Sequence, residues 1–586
     1  MDRKLPAGHV VAKLSKSSSG EFPKGVERIE GIMSTKAAVD ALASLGISKL
    51  TNFWGDSRIE GLLELGVSTR PRSIAEAMLS ESGLAIFKNK DLRNAILEAF
   101  SPQDIRDKLG ESADGAQLID SGSFTWGRNP LTTQFLKLLD LELEEAFPDD
   151  LLSGPEPFQK TAISRPLFDY QNSIRKQLVR FCFLKKDQVD AARSHRIVAH
   201  MPTGSGKTRT AMEFIADFIR FSASKQPPIV VWLAHSEELC DQAVQTFQDI
   251  WSKLGSEDAN IYSMWGGRKH DGLDFSKPCF IVTSFQSCYS SIHSSKNTDF
   301  DKFTQIKREC SLLIVDEAHM SMAPTYKKAI EFLCNSETYL VGLTATPGRH
   351  HVGGDTVQTA ALSGFYSNNK LTIDHELTGE KNPIEYLQGR GILSSIERLR
   401  LDTSANVELS TEAVKLVSDL LDISPKVLAE LGSNVQRTLE IVAAVERLAL
   451  KEQKQTIVFC PSKQNASDMA LVLRERGCAA RAVTGETPPS DRRQAIDDFK
   501  NGEIRVLTNF GVLTTGFDAP RTEAVVIARP TTSVVLYSQM VGRGLRGAQV
   551  GGTASCTIVD VVDNIINLPD VPQAFTFFDE HFGEQR

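Results

Sequence analysis

The sequence predicts an α/β protein with two tandem parallel-sheet domains, preceded by a mainly helical region. Short β-branched runs such as "RIVAHM", "IVVWLAH" and "SLLIVDEAH" alternate with helical segments from about residue 165 to 353. A second series, which includes "QTIVFC" and "IRVLTN", extends from about 455 to 562. Each run is continuously apolar, as expected of strands that are buried on both faces of a parallel sheet. At 586 residues the chain is also too long for a single core.

Domain boundaries follow from these patterns. Residues 1–160 are predicted to form a mainly helical accessory domain and linker, with a Ser-, Lys- and Gly-rich start that is expected to be poorly ordered. The first α/β domain is placed at 161–375, a helical connection at 376–440, the second α/β domain at 441–566 and a tail at 567–586. The accessory domain shows no nuclease, phospholipase-like or zinc pattern, which favours docking of a partner or of DNA over a second catalytic activity. Recognition of duplex or damaged DNA there stays open.

The composition is that of an ordinary globular protein, with 41% hydrophobic and 24% charged residues. No apolar run is long enough to cross a bilayer, and the N-terminus lacks the apolar core of a signal peptide. We therefore expect a cytoplasmic protein (nucleoid-associated in a prokaryote) with no membrane partner. The net charge of −8 gives no global reason to expect nucleic acid, although a binding cleft needs only local positive charge. The nine cysteines form no CxxC pair and are predicted to be reduced core thiols.

A phosphate-binding loop is predicted in the stretch "IVAHMPTGSGKT", which ends at Thr208. A Gly-rich turn exposes its backbone N–H groups, and the helix that follows points the positive end of its dipole at the loop. Lys207 adds a cation, and the Thr208 hydroxyl suits a Mg²⁺ ion. Met201 stands where the phosphate-loop pattern has its first glycine. The predicted nucleotide contacts are Thr203, Gly204, Ser205, Gly206, Lys207 and Thr208.

A pair of carboxylates follows the apolar strand in "SLLIVDEAH". The strand should place Asp316 and Glu317 at the carboxyl edge of the sheet, where phosphates also bind. Asp316 is assigned to Mg²⁺, and Glu317 to orienting or deprotonating the attacking water. Helix-capping surface carboxylates are the alternative reading of the pair. His319 is expected to link this site to "LTATP", residues 343–347.

Two arginines beside a glutamine stand out in "YSQMVGRGLRG" of the second α/β domain. Gln539, Arg543 and Arg546 have a spacing compatible with one helix, and the intervening glycines allow close approach. Such arginines stabilise the charge of a transferring γ-phosphoryl group. Since they lie in the second domain, the nucleotide would have to bind between the two domains. Opening and closing of that cleft would indicate a motor rather than a simple phosphatase.

Together these motifs resemble those of superfamily 2 helicases and translocases of the DEAH-lettered type, over about residues 165–562. The resemblance implies that both α/β domains are RecA-like. It implies an adenine contact at Gln171 in "RPLFDYQ" and a looser contact at Arg165. It also implies nucleotide contacts at Gly516 and Asp518 in "TGFDAP".

The same resemblance implies loops that contact the phosphates of a nucleic-acid strand. They are "LAHSEELCDQA", "TSFQS", "CPSKQNA" and "VTGE", together with the strand "VLTN". Hydroxyls, backbone amides and helix N-termini of such loops bind phosphates without reading bases, so affinity should be largely electrostatic and independent of sequence. The residues implied are His235, Ser236, Thr283, Ser284, Ser462, Thr484, Gly485 and Thr508.

Two details favour a DNA-directed branch. RNA-directed DEAD-box proteins carry "PTREL" and an HRxGRxxR pattern, whereas this chain has "AHSEEL" and "QMVGRGLR". These forms resemble the motor subunits of restriction enzymes, including the type III kind, and the excision-repair and transcription helicases. The resemblance implies a helicase or translocase that hydrolyses ATP with Mg²⁺ and is stimulated by DNA. A nucleotide-gated scaffold subunit of a multiprotein defence or repair complex and an RNA helicase are the alternatives that stay open.

Overall fold

The computed structural model describes most of the chain. The described residues are 36–67, 70–109, 124–147, 166–183, 195–222, 226–266, 268, 270, 272–293, 299–345, 356–379, 381–408, 423–514, 519 and 521–566. The predicted poorly ordered start and the predicted C-terminal tail lie outside this part of the chain. So do Arg165, Gly516 and Asp518.

The N-terminal region is helical, as predicted. Asn89 and Asn129 cap two of its helices by accepting hydrogen bonds from backbone N–H groups of the first turn. Inside the domain, the buried Arg93 donates hydrogen bonds to the carbonyl oxygens of Phe87 and Phe124. The helices are α1 (Lys36–Ser44), α2 (Gly46–Trp54), α3 (Asp56–Glu64), α4 (Pro71–Ser82), α5 (Lys90–Ala99), α6 (Pro102–Leu109), α7 (Pro130–Leu138) and α8 (Leu143–Ala146), with a 3₁₀ helix at Gly83–Lys88.

The first α/β domain (lobe 1) is built on a seven-stranded parallel sheet of order β3-β4-β2-β5-β6-β1-β7. Its strands are β1 (Arg196–His200), β2 (Ile229–Ala234), β3 (Asn260–Met264), β4 (Cys279–Ser284), β5 (Cys310–Asp316), β6 (Tyr339–Thr344) and β7 (Lys370–Leu371). Its helices are α9 (Asp169–Phe183), α10 (Lys207–Phe221), α11 (Glu237–Leu254), α12 (Phe285–His293), α13 (Asp299–Glu309), α14 (Pro324–Leu333) and α15 (Thr356–Phe365). Strands β2 and β4 are buried at every position, which explains their continuously apolar sequences.

The second α/β domain (lobe 2) is a six-stranded parallel sheet of order β10-β11-β9-β12-β13-β8. Its strands are β8 (Ser395–Glu408), β9 (Thr456–Phe459), β10 (Ala480–Val483), β11 (Val506–Asn509), β12 (Ala524–Ile527) and β13 (Ser555–Ile566). The remaining α-helices are α16 (His375–Thr378), α17 (Pro383–Gly389), α18 (Pro425–Ser433), α19 (Val435–Glu446), α20 (Lys463–Glu475), α21 (Pro489–Asn501) and α22 (Val534–Val541). Two parallel sheets flanked by helices, after a helical N-terminal region, confirm the predicted fold class.

The connection predicted at 376–440 is not wholly helical, because it contains β8. This strand pairs with β13 from Ser395 opposite Ser555 to Glu408 opposite Ile566, so lobe 2 begins inside the predicted connection. The strand alternates buried residues (Leu399, Leu401, Ala405 and Val407) with exposed ones (Arg400, Ser404 and Asn406). That period of two is typical of an edge strand with one solvated face, and such a strand contains no continuous apolar run that would predict it.

The carboxyl ends of three adjacent strands bring the predicted nucleotide motifs together. Strands β5, β6 and β1 are neighbours, with Asp316 paired opposite Leu343 and His200 opposite Thr344. The phosphate loop leaves the end of β1, and the carboxylate pair leaves the end of β5. The two motifs therefore meet at one edge of the sheet, although more than a hundred residues separate them in sequence.

The N-terminal domain packs directly on lobe 2. Leu62, Leu65, Val67 and Ala77 are buried in the same apolar cluster as residues of lobe 2 such as Met469. Helix α4 lies against α20 at this interface. Because the two domains share a buried core, the accessory domain is an integral part of lobe 2 rather than a separate module.

Two further observations concern the surroundings of the chain. Within the described residues, no helix has the length and apolar character needed to span a membrane. All nine cysteines are in the described part, and none forms a disulfide. Burial raises the pKa of Cys334 to about 11 and that of Cys460 to about 12, so these thiols stay neutral.

Candidate nucleotide site between the two lobes

The phosphate loop has the backbone of an anion-binding turn. Gly204 and Gly206 adopt left-handed conformations, with φ of 81° and 82°. Gly206 is the N-cap of α10, so the loop runs straight into the N-terminus of that helix at Lys207. A Cβ atom on Gly206 would lie 2.4 Å from Nε2 of Gln171. The left-handed conformation requires glycine there, and a Cβ would in addition displace the Gln171 amide.

The departure from the phosphate-loop pattern at Met201 is accommodated by packing. Its side chain is buried, and its N–H donates to the carbonyl oxygen of Thr344 at 3.0 Å. Met201 is not among the residues with positive φ. A glycine is therefore not needed at this position, and the left-handed glycines of the loop follow at 204 and 206.

Gln171 supports the phosphate loop from behind. Its Nε2 donates to the carbonyl oxygen of Ser205 at 2.9 Å, and its Oε1 accepts from the N–H of Phe168 at 3.0 Å. The Tyr170 hydroxyl donates to the same Ser205 oxygen at 2.7 Å. Tyr170 was missed in the sequence, although it is adjacent to the glutamine in "FDYQ". The two side chains fix the loop backbone, which keeps its N–H groups oriented before a ligand binds.

The carboxylate pair occupies a strained turn at the end of β5. Asp316 is buried, and one of its oxygens accepts a hydrogen bond from the N–H of Glu317 at 3.0 Å. Glu317 has φ and ψ of 53°, a left-handed conformation that is unfavourable for a residue with a Cβ. Such strain persists only where the surrounding structure over-determines the backbone, and it is concentrated at functional sites.

The charges around the pair differ in their effects on the two carboxyls. Burial, together with the neighbouring Glu317, raises the pKa of Asp316 to about 7, although Lys207 opposes the rise. Burial alone would raise the pKa of Glu317 as well, but the positive charges of Lys207, His319, His235 and Arg543 outweigh burial and lower it. A bound cation would offset both the burial and the negative charge of Glu317 that suppress ionisation of Asp316.

The oxygen atoms present fit a magnesium site. The Asp316 carboxylate and the Thr208 hydroxyl line one cavity with the phosphate loop. Mg²⁺ prefers such hard oxygen ligands and usually takes only one or two from the protein, the others being water and substrate phosphates. These two residues would hold the ion.

His319 connects the carboxylate pair to the end of β6, as predicted. Its Nδ1 lies 3.2 Å from Oγ1 of Thr344 and 3.3 Å from Oε2 of Glu317. His319 and Thr344 are both buried. The remainder of the "LTATP" motif, residues 346 and 347, lies outside the described residues.

The predicted arginine fingers face the phosphate loop across the two lobes. Gln539, Arg543 and Arg546 line the same cavity, of about 410 Å³, as the phosphate loop and the carboxylate pair. The lobes touch beside it, since a Cβ atom on Gly542 would lie only 2.1 Å from Cγ2 of Thr203. The cavity is therefore built from both lobes in a closed arrangement.

Contacts within lobe 2 hold in place the segment that carries the arginines, residues 537–547, which we call the finger segment. The Tyr537 hydroxyl donates to Asp560 at 2.7 Å and anchors α22 to β13. The carbonyl oxygen of Arg546 accepts from the Ser394 hydroxyl at 2.7 Å and from the N–H of Thr553 at 2.9 Å. Sequence reasoning missed these supports, because their partners are distant in sequence and each is an ordinary polar residue.

Several of the residues that are implied to contact nucleic acid form hydrogen bonds within the protein through their hydroxyl groups. Thr283 donates to the carbonyl oxygen of Met264 and Thr508 to that of Ala466, each at 2.7 Å, and both threonines are buried. The Ser284 hydroxyl lies 2.9 Å from that of Ser287. Because these hydroxyl groups are already bonded within the protein, a nucleic-acid strand would contact the backbone of these loops more readily than these side chains.

Other residues that are implied to contact nucleic acid lie closer to the surface. Ser236 and Ser462 cap α11 and α20, and both are half-buried. His235 is half-buried, and Gly485 is exposed. Helix N-termini capped in this way present backbone N–H groups that suit phosphates.

Comparison with known protein families bears on both lobes. Residues 155–349 match the family "Type III restriction enzyme, res subunit". Residues 439–548 match the family "Helicase conserved C-terminal domain". Together the two matches cover about half of the chain and confirm the resemblance to superfamily 2 helicases. The matched regions contain the phosphate loop, the carboxylate pair and the predicted arginine fingers, and ATP use is typical of the helicase family.

Individual relatives of this helicase are distant. The putative ATP-dependent helicase IRC3 of Saccharomyces cerevisiae is 27% identical over 363 residues, which are 60% of this chain and 46% of that protein. The type I restriction enzyme EcoKI endonuclease subunit of Escherichia coli is 23% identical over 561 residues, 83% of this chain and 44% of that protein. The helicase thus spans less than half the length of either relative. The structure of S. cerevisiae Dbp5 bound to RNA and ADP BeF3 is 16% identical, with a TM-score of 0.46, over 70% of this chain and 88% of that one.

Replacing the phosphate-loop lysine should abolish ATP hydrolysis by this helicase. Lys207→Ala removes a preorganised cation from the cavity, and the loss of one such donor costs about 10²–10³-fold in turnover. The melting temperature should be unchanged, because Lys207 is a half-buried loop-end residue outside the apolar core. The matched control is Lys327→Ala, which removes a lysine from the surface of the same lobe. Turnover within a few-fold of the unmutated chain would rule out Lys207 as a phosphate contact.

Proposed function

We propose that this helicase is a DNA-directed ATPase that couples closure of its two lobes to movement along DNA or to remodelling of DNA. The observation that carries the proposal is the cavity that Lys207, Glu317 and Arg546 line together. Lobe 1 supplies the phosphate loop and the carboxylates, and lobe 2 supplies the arginines. Because neither lobe holds the full set, hydrolysis requires the closed arrangement and can be linked to motion.

The residues divide the chemistry among them. Loop N–H groups and Lys207 bind the phosphates of ATP, and Arg543 and Arg546 stabilise the negative charge that develops on the γ-phosphoryl group. Thr208 and Asp316 would hold Mg²⁺, which when bound neutralises phosphate charge. Glu317 orients the attacking water and accepts its proton.

The electrostatics of Glu317 suit that role. Its lowered pKa keeps the carboxylate ionised at neutral pH, where it must accept a proton. The contact with His319 and the left-handed backbone fix its position. A base that is already ionised and oriented needs no rearrangement before the chemical step.

A bridge between the lobes supports coupling to a bound strand. Arg492 of lobe 2 donates to Glu238 of lobe 1 at 2.7 Å and to the carbonyl oxygen of Thr484 at 3.4 Å. Glu238 lies in the first turn of α11, which Ser236 caps. The bridge thus joins two loops that the family resemblance implies to contact nucleic acid, one in lobe 1 and one in lobe 2. A strand that binds both loops would favour the closed arrangement, which is the basis for stimulation by nucleic acid.

DNA is favoured over RNA by the form of the motifs. "AHSEEL" and "QMVGRGLR" resemble the restriction-enzyme branch, in agreement with the match to the restriction family and with the EcoKI relative. Binding should be independent of base sequence and strongly dependent on salt. A role in phage defence or repair, a cytoplasmic location and association with other subunits are part of the same proposal.

Measurement of ATPase activity with different nucleic acids tests this function. Duplex or single-stranded DNA of mixed sequence should stimulate turnover several-fold, and matched RNA should stimulate it less. Stimulation by RNA alone would instead establish an RNA helicase, an alternative suggested by a 20% identity over 360 residues to the ATP-dependent RNA helicase eIF4A. If no nucleic acid stimulates the isolated chain, co-purification from its native cell would show whether it acts as a subunit of a larger complex.

A further inference from the structure

The N-terminal domain contacts a loop of lobe 2 that is proposed to bind a nucleic-acid strand. This loop, "VTGE" at residues 483–486, joins β10 to α21. The Thr484 hydroxyl donates to the carbonyl oxygen of Ser80 at 3.3 Å. Gly83 approaches the loop so closely that a Cβ atom on it would lie 2.4 Å from the carbonyl oxygen of Glu486. The segment from Ser80 to Gly83, where α4 ends and the 3₁₀ helix begins, therefore contacts both neighbours of Gly485, and we call it the turn Ser80–Gly83.

Polar contacts hold this turn in register with lobe 2. The Arg58 guanidinium lies 2.5 Å from the Asp468 carboxylate, and the side chains are 11% and 4% exposed. Glu76 and Arg474 form a second ion pair at 2.5 Å. Ion pairs shielded from water in this way fix relative orientation more strongly than exposed ones do. Together with the shared apolar cluster, they make the interface specific rather than a loose contact.

The same loop is held from its other side by Arg492. That guanidinium donates to the carbonyl oxygens of Thr484 at 3.4 Å and Thr487 at 3.5 Å, while it also binds Glu238 of lobe 1. Gly485, between the two sets of contacts, is exposed, and a Cβ atom on it would meet nothing within 4 Å. The loop is thus fixed on both flanks and open at its centre.

We propose that the turn Ser80–Gly83 is a positioning element for nucleic-acid binding, and that the N-terminal domain is a fixed part of the strand-contacting surface of lobe 2. The turn holds the 483–486 loop so that Gly485 stays accessible to the phosphate backbone of a strand. The Thr484 hydroxyl binds the N-terminal domain and affects the nucleic-acid strand only by fixing the position of the loop. This inference rests on the proposed function, because it assigns a role within nucleic-acid binding.

Gly83→Ala tests the positioning role, with Gly66→Ala as the matched control. Both glycines belong to the N-terminal domain and have positive φ, 58° and 79°, so both substitutions carry backbone strain, to which the ψ of −159° at Gly83 adds. Only the Cβ at residue 83 meets lobe 2, since nothing lies within 4 Å of one at residue 66. In Gly83→Ala, the concentration of mixed-sequence duplex DNA that gives half-maximal ATPase stimulation should rise about fivefold to a hundredfold. Basal turnover and turnover at saturating DNA should change little in either variant. The melting temperature should fall in both, because each added Cβ strains a left-handed backbone, and only Gly83→Ala should change the half-maximal DNA concentration.

Reversal of the ion pair gives a second, independent test. Glu76→Arg alone should raise the half-maximal DNA concentration in the same way, and the double variant Glu76→Arg with Arg474→Glu should restore it. An unchanged half-maximal concentration in both Gly83→Ala and Glu76→Arg would overturn the inference while leaving the proposed function in place. A rise in basal, DNA-free turnover would also overturn it, because that result would show an inhibitory domain. If the unmutated chain is not stimulated by DNA or RNA, the proposed function fails and this inference fails with it.

Discussion

Turnover of ATP by the Arg546→Ala variant is expected to fall about 10³- to 10⁵-fold, the range found for arginines that reach a γ-phosphate from a second lobe. Arg546 lines the cavity together with Lys207, which lies more than three hundred residues earlier in the chain. The arginine can contribute only when lobe 2 closes on lobe 1. ATP affinity should change much less, because lobe 1 holds most of the phosphate contacts. Stimulation by nucleic acid should be lost as well, since a bound strand acts by favouring that closure.

The control for this variant is Arg447→Ala, which removes a surface arginine of lobe 2 that pairs with Glu452. It should turn over ATP at the rate of the unmutated chain. Rapid hydrolysis by Arg546→Ala, measured under single-turnover conditions, would show that the arginine lines the cavity without stabilising the transferring phosphoryl group. A large loss of ATP affinity with unchanged maximal rate would assign it to ground-state binding instead.

Glu317→Gln is expected to lower hydrolysis by about 10²–10⁴-fold while ATP and Mg²⁺ still bind. The amide cannot accept a proton from water, yet it keeps the size of the carboxylate and can retain the turn. The variant should accumulate a closed, ATP-bound form with raised affinity for nucleic acid. Measurement of ATP hydrolysis alongside DNA binding in the presence of ATP checks both effects.

Asp316→Asn is the matched comparison for Glu317→Gln. Asp316 is the predicted ligand of Mg²⁺, so this change should weaken Mg²⁺ binding more than the Glu317 change does. A titration of turnover against Mg²⁺ concentration separates the two variants. Identical behaviour in Mg²⁺ dependence, ATP binding and rate would contradict the division of labour between the two carboxylates.

The parts of the site that are predictable from sequence are those encoded by contiguous residues. The phosphate loop needs glycines where φ is positive, and Gly204 and Gly206 supply them. The carboxylate pair follows a buried strand directly, so its place at the edge of the sheet follows from the strand itself. The arginines share one short segment, and because that segment belongs to the second domain, a nucleotide that it contacts has to bind between the domains.

The parts that sequence could not predict depend on contacts between distant segments. The bond from Thr484 to Ser80 joins residues four hundred positions apart, and no local pattern marks either of them as an interface residue. Strand β8 alternates in polarity and resembles a loop when continuous apolar runs are sought. The anchoring of α22 by Tyr537 depends on Asp560, which belongs to a strand that follows the finger segment.

Closure of lobe 2 on the phosphate loop is the central claim, and ATP turnover by Gly542→Ala tests it most directly. The added Cβ would lie 2.1 Å from Cγ2 of Thr203 and would hold the lobes apart. We expect turnover to fall roughly 5- to 150-fold, which corresponds to the 1–3 kcal/mol of a tight overpacking, while ATP affinity is retained. Thr203→Ser, which removes the Cγ2 atom, should restore part of the rate in the double variant, and Gly389→Ala, in open space, should behave as the unmutated chain. Turnover by Gly542→Ala equal to that of the unmutated chain would contradict the account, because hydrolysis would then not need lobe 2 to close on the phosphate loop.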